Sequence, residues 1–417
     1  MIAAIITIFV VGYLLIAFEH TIKLNKTASA LITGVLCWVV YIVASENKEF
    51  VSEQLAHHLS EISEIIFFLM GAMTIVELID AHDGFDLIKN QINTPNNKRL
   101  MWIMSILAFF LSAIIDNLTT AIVMVSILRK IIKDREQRLL LVGIMIIAAN
   151  AGGAWSPIGD VTTTMLWIKG QISAGAVITT VFIPSLVCAI VPLLYYQFRL
   201  PKQPLEQLEK EGVSNPDGKK ILILGIGILL LVPVFKVVTH LPPYMGILLG
   251  LGLVWVFSEV IHSNKDDERR RPLSVAHALS RIDTGSILFF LGILMAVGAL
   301  ESTLVLKSFA NTLNQSIGNL DAIAVTIGVA SSVVDNVPLL AAAQNMYSLQ
   351  DFPIDSRLWL FLAYTTGTGG SILIIGSAAG VAAMGMENIS FSWYLRRVSL
   401  WALLGFLAGA LAFILLF

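Results

Sequence analysis

Charge is scarce in this chain. Asp, Glu, Lys and Arg together make up 13% of its 417 residues, while 56% are hydrophobic. A soluble domain carries roughly 25% charged residues, so the composition suits a bilayer, and a mean hydropathy of +0.81 agrees. Net charge is also slight, −2 at pH 7. That points to no polyanionic partner and argues against nucleic acid binding. Cysteine is scarcer still. Cys37 and Cys188 both fall in apolar runs, so no disulfide framework and no Cys-x-x-Cys metal site is expected. Each is read as a small core residue.

What is abundant is long apolar sequence. A transmembrane helix takes roughly 20 mostly apolar residues. The spans expected are 2–18, 28–45, 62–80, 139–168, 172–198, 221–240, 243–262, 283–302, 357–387 and 394–416. The first has no basic residue before it and no small-residue cleavage site after it, so it is read as a retained span. Two spans are overlong and interrupted, 139–168 near residues 150–160 and 357–387 near residues 365–377. The stretches 101–132 and 321–350 are broken midway by a polar pair, and each is long enough for a hairpin of two short helices. Irregular backbone at membrane depth survives only where protein or a water-filled cavity satisfies it. Function is therefore sought at these breaks.

The basic residues orient the chain. If neither hairpin crosses, ten crossings remain, and one side collects 22 of the 27 Lys and Arg residues. The other five are Lys48, Lys169, Lys236, Lys307 and Arg357. The positive-inside rule makes the first side cytoplasmic and puts both termini outside. Counting either hairpin as a crossing destroys the bias. The localisation expected is a multi-pass protein of the bacterial inner (cell) membrane.

The chain also repeats itself. The first half runs Phe67-Phe68-Leu69, Asp116-Asn117, Gly152-Gly153, Gly159; the second runs Phe289-Phe290-Leu291, Asp335-Asn336, Gly369-Gly370, Gly376. The first Phe and the Asp are 49 and 46 residues apart, the Asp and the double glycine 36 and 34, and the last step is seven in both. Ordered landmarks at near-equal spacing indicate a duplication. Five crossings is an odd number, so the second copy must sit upside down. The fold expected is an all-α polytopic membrane protein of two inverted repeats, each with five crossings, one re-entrant hairpin and one discontinuous helix. The first repeat covers 1–198, a cytoplasmic linker 199–220 and the second repeat 221–417. In this architecture substrate binds near the midplane between discontinuous helices.

The breaks carry acids. An Asp at the centre of a membrane helix costs about 2.5–3.5 kcal/mol to insert, yet Asp116, Asp160 and Asp335 stand there. A capping role alone would be met by an uncharged Ser or Thr. Oxygen donors surround them: Asn117, Thr119 and Thr120; Asn150, Ser156, Thr162 and Thr163; Asn336, Thr365, Thr366, Thr368, Ser371 and Ser377. Hard cations take such ligands. Asp116, Asp160 and Asp335 are expected to bind Na⁺, and the same carboxylates to bind protons. Competition for the same oxygens then makes exchange obligatory. Asp80 and Glu301 lie near span ends and are read as interfacial. So are the histidines, His20, His57, His58, His82, His240, His262 and His277.

The Asp116-Asn117-Leu118-Thr119-Thr120-Ala121 tip, the break from Asn150 through Gly152-Gly153 and Ser156-Pro157 to Asp160, and the Asp335-Asn336-Val337-Pro338 tip resemble the NhaD-type sodium/proton antiporters of the ion transporter superfamily. The resemblance is clearest over 60–390. It implies a scaffold and a transport domain, re-entrant hairpins, dimerisation and exchange of Na⁺ or Li⁺ for H⁺, and it adds Glu77 to the site alongside Thr162 and Thr163. The second copy departs from the first. Ser377 stands where Asp160 does and Gly367 where Asn150 does, so the ion site should be lopsided.

The rival reading is an anion carrier of the same superfamily, for a dicarboxylate or arsenite, because half-helix N-termini attract anions. Acids at both tips oppose it. An enzyme or ATP-driven pump is not expected, and neither is a cofactor. Gly212 to Lys219 has a glycine spacing one residue too long for a phosphate loop and no Ser or Thr after the lysine. Gly246/Gly250 and Gly405/Gly409 match the small-xxx-small pattern of helix packing or a dimer seam.

Overall fold

The computed structural model describes residues 1–17, 22–85, 96–199, 217–263, 266–333 and 336–417. All regular structure among them is helical. The first half holds α1 (Ile2–Ala17), α2 (Lys26–Ala44), α3 (Lys48–Ala81), α4 (Asn97–Ile115), α5 (Asn117–Ile131), α6 (Arg135–Ala154), α7 (Val161–Ile168) and α8 (Ala174–Arg199). The second holds α9 (Gly218–Thr239), α10 (Pro243–Ile261), α11 (Val275–Arg281), α12 (Thr284–Ser302), α13 (Val305–Ile317), α14 (Leu320–Ala330), α15 (Asn336–Met346), α16 (Arg357–Gly369), α17 (Ala378–Glu387) and α18 (Leu400–Leu416). Short turns at Asp267–Arg270, Arg271–Leu273 and Phe391–Tyr394, and a π-helical segment at Leu395–Ser399, are left unnumbered.

Nine helices among the described residues are long and apolar enough to cross a membrane. Many begin where Asn or Asp caps free N–H groups. Asn25, Asn47, Asn96, Asp134, Asp283 and Asn319 each accept a backbone N–H from the first turn of the helix that follows. The expected span 62–80 starts much earlier, at Lys48. Residues 48–61, with their acids and histidines, fall between the expected spans, but they continue the same helix. At 1.5 Å per residue its 34 residues reach ~50 Å, well beyond a hydrocarbon core of ~30 Å.

Each interrupted span is two helices in a row. The first pair, α6 and α7, leaves 155–160 non-helical; the second, α16 and α17, leaves 370–377. The polar-split stretches are likewise paired helices, α4 with α5 and α14 with α15, and the two members of each pair pack together. The turns between them differ. Asp116 alone separates α4 from α5, whereas the second turn begins at Ser331, and Asp335 lies outside the described residues. The first arm is also no short half-helix, since its 19 residues are long enough to span. Each broken helix fits against a hairpin arm through a glycine. A Cβ on Gly152 would run into the Phe109 carbonyl of α4, and one on Gly369 into the Gly328 carbonyl of α14.

Both small-residue pairs are used inside the chain. Gly246 and Gly250 take the side chains of Phe235 and Ile228 from α9. Gly405 and Gly409 of α18 meet the Cys188 and Pro184 carbonyls of α8. The reading of all histidines as interfacial fails for two. His82 and His262 are buried, with their Nε2 atoms 2.8 Å apart. They end α3 and α10, 180 residues apart in sequence, so no local pattern could pair them. His20 lies outside the described residues. Both cysteines are buried and unpaired.

Candidate functional site

The site begins with Asp116, which closes α4 and caps α5. Its backbone has φ 82° and ψ 160°, a region adopted almost only by glycine, and strain of this kind costs of order 1–3 kcal/mol. The carboxylate offsets part of it locally. Oδ1 accepts from Thr119 N at 2.8 Å and Oδ2 from Thr119 Oγ at 2.9 Å. The strain turns the chain within one residue and leaves the carboxylate at the mouth of α5.

Asn117 links this tip to the first broken helix, its Nδ2 donating to Asn150 Oδ1 at 3.0 Å. Asn150 donates in turn to Ser377 Oγ at 3.0 Å and to Ile146 O at 3.1 Å. Ser377 caps α17 by accepting from Gly380 N. Asp160 does the same for α7, with Oδ1 accepting from Thr162 N at 3.2 Å. Its Oδ2 accepts from Asn336 Nδ2 at 3.4 Å, and Gly367 packs beside that oxygen. Asp160 is 2% exposed and Asn150 fully buried, so protein groups rather than bulk water must satisfy them.

The contacts cross between the halves. The second tip reaches the first broken helix, Asn336 to Asp160, and the first broken helix reaches the second, Asn150 to Ser377. Six expected residues thus come together: Asp116, Asn117, Asn150, Asp160, Asn336 and Ser377. Thr119 is bound to Asp116. Thr120 and Thr162 are buried with hydroxyls that make no hydrogen bond, and neither lines the inner cavity. The hydroxyls of Ser156, Thr163 and Thr368 instead donate to backbone, at Ala113 O, Asp160 O and Tyr364 O.

Asp116 and Asp160 line one small cavity of about 50 Å³ together with Phe68, Asn117, Leu118 and Phe290. A larger cavity of about 640 Å³ adjoins it, bounded by Glu77, Asp80, Asp83, Leu118, Thr119, Arg281 and Asp283. Glu77 belongs to this outer chamber, where Arg281 Nε lies 2.8 Å from its Oε1. Chemically, the inner cavity offers carboxylate, amide and hydroxyl oxygens, the ligand set of a hard cation. Among the described residues that line it there is no Lys or Arg.

One ion cluster around a buried glutamate escaped the sequence reading. Glu387, at the end of α17, takes Arg129 of α5 at 2.6 Å and Arg138 of α6 at 3.0 Å. The partners are about 250 residues apart, and each arginine counted only as part of a basic loop. This cluster fastens the first hairpin and the first broken helix to the second broken helix.

Comparison with known proteins finds transporters. A family model described as a citrate transporter, CitMHS, matches residues 13–367. Sodium/proton antiporter 1 of Arabidopsis thaliana is 49% identical, over 99% of this chain and 72% of its own length. Sodium/proton antiporter 2 of the same plant is 47% identical over 98% of each chain. The Na⁺/H⁺ antiporter NhaD of Vibrio cholerae is 32% identical over 94% of this chain and 86% of its own.

Proposed function

The chain belongs to the CitMHS citrate-transporter family, and from that premise we propose that it is a secondary antiporter exchanging Na⁺, or Li⁺, for H⁺. The observation that carries the reading is the inner cavity, which Asp116, Asp160 and Asn117 line together and whose described lining residues include no Lys or Arg. A di- or tricarboxylate would face two acids there with no Lys or Arg among the described lining residues to offset them. The relatives named as sodium/proton antiporters point the same way.

The mechanism follows from competition. Na⁺ needs the carboxylates ionised, and protons neutralise them, so one site holds either guest but not both. Asp160 contributes from the start of α7, with Thr162 and Asn336 as helpers. Asp116 contributes from the strained tip, and Asp335 is assigned to the second tip. The outer chamber of Glu77, Asp80 and Asp83 gives the approach from the side where basic loops collect, which the charge bias makes cytoplasmic. Two inverted repeats, with hairpin tips and broken helices moving as a unit past α2, α3, α10 and α12, then expose the site alternately to either side. Both termini lie outside, and two copies pair in the membrane.

The test uses everted membrane vesicles holding a pre-formed acid-inside gradient. Adding Na⁺ or Li⁺ with no organic anion present should collapse the gradient. If the gradient persists while citrate or succinate is taken up, the substrate is an anion and the proposal is wrong.

A further inference from the structure

At the end of α3 opposite the outer chamber, His57, His58 and Glu61 bring three ligand atoms within 4.8 Å of one another. His57 Nδ1 lies 3.8 Å from Glu61 Oε1. On α12, Glu301 turns its Oε2 toward the same place, 3.9 Å from His58 Nδ1, where that oxygen is buried and accepts no hydrogen bond. His58 Nε2 lies 3.0 Å from Ser302 Oγ. In the tautomer that donates to Ser302, His58 presents its Nδ1 lone pair to the cluster, the outer hydrogen bond that orients metal-binding imidazoles. The ring is held from behind by close packing on Gly298 and by Trp38.

We propose that His57, His58, Glu61 and Glu301 form a binding site for a borderline transition-metal dication such as Zn²⁺, separate from the transport site. Two imidazoles and two carboxylates are a zinc ligand set. Tetrahedral ligands about 2.0–2.2 Å from zinc sit roughly 3.4 Å from each other, and the 3.8 Å between His57 and Glu61 and 3.9 Å between His58 and Glu301 lie close to that spacing.

The site has a built-in competitor. Lys169, just after α7, holds Glu61 Oε2 at 3.3 Å and also donates to Asn345 Oδ1 of α15 at 3.3 Å. Lys169 therefore ties α3 to the first broken helix and the second hairpin. A metal ion that claims Glu61 removes one end of this tie, and Lys169 in turn opposes metal binding by like charge. Zinc at this site would thus act on the contact between the long helix and the elements that carry Asp160 and Asn336.

The test is calorimetric titration of Zn²⁺ into tag-free full-length protein in detergent. One saturable site is expected. His58→Ala and Glu61→Gln should each weaken it at least tenfold, Glu301→Gln should weaken it less, and Lys169→Met should tighten it. His277→Ala should leave it unchanged. Should His58→Ala not fold, His57→Gln, at a more exposed position, gives the same readout. Absence of saturable binding, or wild-type affinity in His57→Gln and Glu61→Gln, overturns the proposal. Because binding is read in detergent, the result stands apart from whether the protein exchanges sodium.

Discussion

At the scale of single residues, the two described acids of the inner site are not equivalent. Asp116 holds its own tip together, and its carboxylate is shared between the Thr119 amide and hydroxyl. Asp160 has one oxygen on its helix cap and the other facing Asn336 of the opposite half. Asp116→Asn keeps the shape and an oxygen to cap the Thr119 amide, but loses the charge. It should reach the membrane at wild-type levels and show no Na⁺-driven collapse of a pH gradient; full exchange would remove Asp116 from the mechanism. Asp160→Asn should raise the apparent KM for Na⁺ about tenfold, the equivalent of ~1.4 kcal/mol, or displace the pH profile. An unchanged KM and profile would make Asp160 a cap only. The acids were legible in sequence because a charge in an apolar run is costly enough to need a reason. The roles of neighbouring hydroxyls were not. Whether Ser156 or Thr368 faces a guest or its own backbone depends on rotamers and on which carbonyl lies opposite, and both turned to backbone. His82 and His262 were misjudged for the same reason, since span ends look wet until a second helix covers them.

At the scale of elements, backbone proximity sets the geometry. Gly152 and Gly369 let the broken helices touch the hairpin arms, carbonyl against Cα. Gly369→Ala should push α16 off α14. Overpacking of this kind costs typically 1–3 kcal/mol, and here the obstacle is backbone, so the high end of about 3 kcal/mol is expected as a lowered melting midpoint in detergent. Gly227→Ala on α9, where nothing lies near the added methyl, is the control and should leave the midpoint unchanged or slightly raised. The breaks could be read in advance from polar pairs inside apolar runs. The start of α3 could not. Its first turns carry Glu49, Glu53, His57, His58, Glu61 and Glu64, and a polar helix that emerges from a membrane has the composition of a loop.

At the scale of the whole molecule, the broken helices are joined to the hairpins by ionic and amide contacts that ignore sequence order. Arg129 and Arg138 grip Glu387 from the first half, and Asn336 and Ser377 hydrogen-bond to Asp160 and Asn150 across the halves. Charge counting gives an expected orientation but cannot see these ties, because it treats each arginine as belonging to a loop. If the chain is cut between residues 208 and 209, neither piece contains a whole site. Fragments 1–208 and 209–417 expressed separately should be inert, and expressed together should restore Na⁺-dependent gradient collapse. Activity from either fragment alone would contradict the crossed contacts. The same crossing has a genetic consequence. Neither half can drift alone: a change at Asn150 is felt at Ser377, and one at Asn336 is felt at Asp160. Second-site suppressors of a lesion in one half should therefore map to the other half, opposite the original change.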